Sequence, residues 1–188
     1  MKMIRYIPIL AAAAGLLLAT SCVKDTLHNT PHPDKGAVTV SLTGVSAGDN
    51  YVLDIDGKSA DFTGSSFTFP DLLAPGTHSL VAYNRTEGFT FDGRTARVNA
   101  LNDETRADGT AIIPLPGYLK TVNQEITVTA DDTLRVNAVP VQRVRDLHFE
   151  LEVTQGRPEL IQSVTATLSG IAGAFDMEKG QTTGEPTS

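Results

Sequence analysis

An all-β sandwich is the fold this sequence predicts, and three observations predict it. From Ala37 onward apolar residues recur at every second position, and Gly, Pro, Asn and Asp break them into short runs, the signature of half-buried strands. No segment sustains the apolar stripe of an amphipathic helix. The turn signals recur at intervals that suit two packed sheets with Greek-key connections.

The elements follow in order. Val38, Val40 and Leu42 alternate first. Tyr51, Leu53 and Ile55 run into Asp56-Gly57, a hairpin signal because both residues tolerate positive φ. Phe67 and Phe69 make a short strand, and Leu72-Leu73-Ala74-Pro75-Gly76 turns the chain into 77–84. There Leu80 and Ala82 alternate with Val81 and Tyr83, a pattern for burial on both faces. A pair around Phe89-Thr90-Phe91 and Ala96-Arg97-Val98 is joined through Asp92-Gly93, and 99–109 is polar enough to be a loop. Ile112 and Ile113, Ile126 and Val128, and Leu134 and Val136 continue the alternation. Pro140 cannot donate to a ladder and marks an edge, bulge or boundary.

Beyond Pro140, Leu147, Phe149, Leu151 and Val153 alternate with polar residues, Gly156-Arg157-Pro158 turns, and Val164, Ala166 and Leu168 lead into 170–175. These predict the opening strands of a second sandwich. The stretch 178–188 is polar and shows no closing strand. Two strands cannot close a core of their own, so the expectation is a chain cut short within its second domain.

The N-terminus carries the most specific signal. Lys2 and Arg5 precede an apolar run from Ile7 to Ala19, and Ala19-Thr20-Ser21-Cys22 puts small residues before the chain's single cysteine. The run is shorter than the ~20 residues a spanning helix needs. Charged start, short apolar core and small residues make a cleavable signal, with the cut between Ser21 and Cys22. This resembles a bacterial lipoprotein signal, with Leu18 four places before the cysteine instead of the usual three, a relaxed form similar to those of Bacteroidetes. The resemblance implies that Cys22 becomes the acylated N-terminus and that its acyl chains bind the membrane. Residues 22–36, polar and interrupted by Pro31, Pro33 and Gly36, read as a flexible tether. The expected organisation is therefore signal 1–21, tether 22–36, first sandwich 37–140 and second-domain strands 141–188.

Composition narrows the partners. Losing Lys2 and Arg5 takes Lys plus Arg from 15 to 13 against 22 acidic residues, so the net charge moves from −7 to −9. That balance argues against nucleic acid. One cysteine leaves no disulfide framework.

Further pieces resemble the fimbrial anchor lipoproteins of Bacteroidetes, relatives of the fimbrillins. They are the lipoprotein signal, the run from Leu73-Ala74-Pro75-Gly76-Thr77 to Asn84, and Leu168-Ser169-Gly170-Ile171-Ala172-Gly173. The resemblance implies tandem transthyretin-like sandwiches and assembly with fimbrial subunits by strand exchange, in which a strand from one subunit fills an apolar groove in another. In such systems stalk subunits are cut after an arginine to remove the first strand, whereas an anchor keeps its lipid and that strand. Here 22–84 contain no arginine, and the first, Arg85, lies behind several core strands.

Signatures of catalysis are missing from the sequence: there is no Gly-x-Ser-x-Gly, His-Glu-x-x-His or phosphate-binding glycine loop. No cofactor or metal is expected. His28 and His32 lie in the tether without a helix to give them a common face, and His78 and His148 read as surface or edge residues on strands. Asp54-Ile55-Asp56-Gly57 has its glycine two places early for a calcium loop, so the hairpin explains it better. Asp25-Thr26-Leu27 and Asp132-Thr133-Leu134 fit a short O-glycosylation pattern similar to that of Bacteroidetes. The leading expectation is a non-catalytic, lipid-anchored outer-membrane subunit that attaches a fimbrial polymer to the cell surface. The alternative is a glycan-binding lipoprotein of a polysaccharide uptake system, which would need exposed rings drawn from Tyr51, Phe62, Tyr118 and Phe89.

Overall fold

The computed structural model describes residues 27–100, 115–166 and 168–187. Cys22, Ser21, Thr26 and the pair Ile112-Ile113 lie outside the described residues. Among the described residues twelve strands form three sheets, and the expected all-β sandwich is what they build. The first sheet has the order β4-β1-β9, with β1 Ala37–Leu42, β4 Ser66–Thr68 and β9 Thr133–Ala138. The central sheet is β10-β8-β5-β2-β3, from Val141–Gln142, Lys120–Val128, Gly76–Asn84, Asn50–Ile55 and Lys58–Thr63. The outer sheet is β12-β11-β7-β6, from Gln181–Thr187, Ile171–Asp176, Thr95–Val98 and Phe89–Asp92.

Two cores lie on opposite faces of the central sheet. On one face Leu53, Ile55, Leu80, Ala82, Val122 and Ile126 pack against Val38, Val40 and Leu42 of β1 and Val136 of β9. On the other, Val52, Val81 and Tyr83 meet Ala96, Leu119 and Met177. Strand β5 is therefore buried on both sides, as its unbroken apolar run predicts. Burying each such aliphatic side chain is worth ~1.5–3 kcal/mol, so the central strands anchor both layers.

The Asp56-Gly57 turn joins β2 to β3 with both residues at positive φ, 52° and 85°. Two local expectations differ. Residues 147–153, 164–166 and 168 are exposed chain without strand assignment: Leu147 is 63 %, Phe149 77 % and Leu151 71 % exposed. Alternation supplies a face for burial, but a strand also needs a neighbour to accept its ladder, and none of the described strands pairs with these residues. Conversely, the polar stretch expected to lack a strand forms β12, paired along β11 from Asp176↔Gln181 to Ile171↔Thr187. An edge strand on an outer sheet is held by backbone bonds and needs few apolar side chains. Through the β11–β7 pairing, residues 171–176 join a sheet begun by β6 and β7, and β10 extends the central sheet.

Candidate functional site

The feature with functional consequence is the first strand and what holds it. β1 lies inside its sheet, flanked by β4 on one side and β9 on the other. Its pairing with β9 is parallel and in register over six residues, Ala37↔Thr133 to Leu42↔Ala138. Val38 and Val40 are fully buried and Leu42 is nearly so. The chain thus fills its own apolar groove with its own first strand.

The segment preceding β1 was expected to be a free tether, yet from His28 onward it is bound to the β8–β9 turn. Asp131 sits there at positive φ, 54°, an arrangement open to Asp because its short carboxylate bonds locally. Its Oδ1 accepts from the backbone N–H of Asn29 at 2.8 Å and of Thr30 at 3.1 Å, and Asn29 Nδ2 donates to its carbonyl at 2.9 Å. These backbone donors, Thr30's first, outweigh desolvation and, with His28 at 3.2 Å, hold the Asp131 carboxyl below its ordinary range. Thr30 Oγ1 lies 2.6 Å from the His32 carbonyl and 3.1 Å from that of Lys35, closing the loop. Gly36 completes the contact: a Cβ there would stand 2.3 Å from the Thr129 carbonyl oxygen. Of the expected histidine pair, only His28 meets the turn. Thr133, in one of the two short O-glycosylation patterns of the sequence, opens β9 and is half-buried.

A second cluster joins the central and outer sheets. Arg94, in the β6–β7 turn, donates to Asp54 Oδ1 from Nε at 2.7 Å and Nη2 at 2.5 Å. Its Nη1 donates to Ser79 Oγ and to Glu178 Oε1, each at 2.7 Å, and Nη2 also reaches the Ser79 carbonyl at 3.0 Å. Asp54 receives further bonds from Ser59 Oγ at 2.7 Å and Gly57 N–H at 2.9 Å. Burial pushes the Asp54 carboxyl up, but the bonds from Ser59, Arg94 and Gly57 and the guanidinium charge together bring it below its ordinary value. Every donor of the guanidinium fork has an acceptor, so the cluster is a staple between layers. The sequence reading found the Asp54–Gly57 hairpin and missed Arg94 and Glu178. The available signal was a carboxylate on a strand otherwise buried on both faces, which demands a cation.

His78 projects to the face opposite Ser79. Its Nδ1 lies 2.6 Å from Asp56 Oδ2 and its Nε2 2.8 Å from the Ala74 carbonyl. The Asp56 bond, against the cost of burial, raises the imidazole pKa, with help from the Ala74 carbonyl. His148 stands exposed in the stretch after β10, off any strand. Of the rings considered for glycan stacking, Tyr51 is 1 % and Phe62 7 % exposed, and they stack inside the first core with Phe67. Phe89 packs with Phe91 against the second core, and Tyr118 is the exposed one, donating to Asp146 at 2.5 Å.

Topology assigns these features to two ends. The Asp131 turn, the Asp56-Gly57 turn and the start of β5 share one end, because Gly76 pairs with Val128 and Ile55 with Leu80. The other end carries Leu42, Ala138, Tyr118 and β10, since Tyr83 pairs with Thr121 and Val141 with Thr121. The exposed stretch after β10 therefore leaves from the end opposite the N-terminal segment.

No family model matches the chain, and no curated protein does. Among solved structures the chain is similar to a candidate adhesin from Bacteroides ovatus, at 18 % identity and a TM-score of 0.55 over 85 % of this chain and 61 % of that one. The likeness is one of fold, and the chain spans less than two thirds of that neighbour's length. No helix among the described residues is long and apolar enough to cross a membrane.

Proposed function

We propose that this chain is a non-catalytic surface lipoprotein of the outer membrane, held by acyl chains on Cys22, which joins a fimbrial polymer to the cell. The observation that carries the reading is β1: the strand that follows the attachment point lies inside its own sheet, with Val38 and Val40 fully buried. A subunit cut so as to lose its first strand would lose Val38, Val40 and Leu42 from this core. One that keeps it is suited to the base of an assembly. The clamp of residues 28–30 on Asp131 favours the same role, because it fixes the domain close to the attachment point. The opposite end, with its exposed Leu147, Phe149 and Leu151, is where a partner strand finds alternate apolar side chains to pair with. The candidate adhesin from Bacteroides ovatus supports a surface, adhesion-type setting for the fold.

Each buried acyl methylene contributes ~0.8 kcal/mol, so two or three chains hold the protein on a membrane while one does not. Cys22→Ser is accordingly expected to fold normally and to release itself, or fibres attached to it, into the medium. Fractionation of cells and medium, with mass spectrometry of the mature N-terminus, measures this. Full retention of the variant at the membrane, or an unmodified Cys22 thiol in the wild type, overturns the proposal.

A further inference from the structure

We infer that β1 is a shear-loaded mechanical clamp, the element that carries tension from the N-terminal attachment into the body of the protein; its membrane end rests on the anchor reading above. The geometry that argues for it is the direction of the ladder. Tension arriving from the N-terminus draws β1 backward along its own axis, between a parallel neighbour and an antiparallel one. When the opposing load acts at the far end, where Ala138 and β10 lie, β1 and β9 are pulled in opposite senses along a common line. Sliding then strains all the ladder bonds together, whereas peeling from one end would break them one by one.

The seam is closed at both ends. Toward β9, Ala37 N–H donates to the Asp132 carbonyl and Thr43 N–H to the Ala138 carbonyl, each at 2.9 Å. On the other side Phe69 N–H donates to Val38 at 2.8 Å and Leu42 N–H to Ser65 at 2.7 Å. A slip of one residue would also turn Val38, Val40 and Leu42 out of the core, because side chains alternate with a period of two. The clasp of Asn29 and Thr30 on Asp131 meets the load first and passes it to the β8–β9 turn. Once that opens, β1 carries the whole tension.

The test keeps the strand pair intact and changes only where force is applied. The chain from Cys22 to Ser188 retains every described residue, and its single cysteine is one handle. A second handle is placed by Leu147→Cys, past the far end of β9, or by Asp132→Cys, at the near end; both positions are exposed. Urea midpoints of the two variants, matched to wild type, establish that each folds. Forced unfolding reads the barrier along the pulled coordinate, so single-molecule extension is expected to need a several-fold higher rupture force through Leu147→Cys than through Asp132→Cys. Equal forces, or the reverse order, overturn the clamp with the anchor reading intact. A free Cys22 thiol in cells would overturn the membrane end of the inference while leaving the measured anisotropy in place, so the two fail separately.

Discussion

On one face of the central sheet, Leu53, Leu80 and Val122 meet Val38 and Val40 in a buried cluster without charged side chains; on the other, Val52 and Val81 share the interface with Asp54 and Arg94. The first face has the larger cluster and seals β1 by hydrocarbon. The second has few aliphatic groups, supplemented by the Tyr83–Phe91 stack at 5.0 Å and by Arg143 lying 5.0 Å over Phe175. Non-directional burial tolerates small shifts, whereas a guanidinium fork fixes the register of the layers it joins. The layer that holds the first strand is thus the one held by the effect least sensitive to salt and pH. The outer layer is stapled by charge.

Removing the staple is the largest expected effect. Arg94→Met leaves the Asp54 carboxylate, 4 % exposed, without its cation, and breaking a buried pair from one side costs about 3–5 kcal/mol. The double variant Asp54→Leu with Arg94→Met removes the stranded charge and is expected to recover most of that loss. Urea unfolding of both variants checks the comparison. A single variant within about 0.5 kcal/mol of wild type, the range of ordinary surface changes, would mean that the outer sheet is held by its apolar cluster alone.

The apolar face has one blemish. Tyr51 is buried, and its hydroxyl oxygen is the one buried side-chain polar atom without a hydrogen-bond partner among the described residues. Burial, with the charge of Asp49, raises its pKa. An unmet hydroxyl costs desolvation free energy, and its removal with shape retained is neutral or favourable. Tyr51→Phe is therefore expected to raise stability by up to ~1 kcal/mol, read from the urea midpoint at unchanged slope. A loss of similar size would show that the hydroxyl is paired in solution and that the two faces are less different than drawn.

Much of the apolar face was legible in the sequence, and little of the charged one. Val38, Val40 and Leu42, the two-sided run Leu80 to Tyr83, and the Asp56-Gly57 turn are local patterns of period and turn chemistry, and each stands where it was read. The Arg94 staple joins residues 40 and 84 positions apart, so no local window contains it. The parallel β1–β9 pairing brings together strands from the two ends of 37–138, and a short alternating run does not say which strand lies beside it. The bonds of Asn29 and Thr30 to Asp131 escaped notice because a Pro- and Gly-punctuated polar stretch has the composition of a linker whether or not a turn accepts its N–H groups. Residues 147–153 show the converse error: alternation predicted a strand where the described chain offers no neighbour for it.

The smallest expected effect distinguishes the faces by pH. His78 and Asp56 form a pair at the near end of the first core, and the two titrate in opposite directions. The His78 pKa is raised, chiefly by the Asp56 bond, so its contribution is complete below the unfolded histidine value and is lost as pH rises through the folded one. Burial pushes Asp56 up, but bonds from His78 and the Ser79 N–H leave it lowered, so its contribution is complete above the unfolded carboxylate value and is lost as pH falls through the folded one. Both are present together between about pH 4 and pH 6.5, the interval between the ordinary carboxylate and imidazole values. Asp56→Asn is expected to lower the urea midpoint most in that interval and least at a pH above the folded His78 value, where the wild-type imidazole is neutral, and to bring the His78 titration, followed by NMR, back toward about 6.5. The same loss at both pH values would assign Asp56 to the turn alone. In that case the pH dependence would rest on the staple, where the lowered pKa of Asp54 makes its contribution complete above the unfolded carboxylate value and lost as pH falls through the folded one.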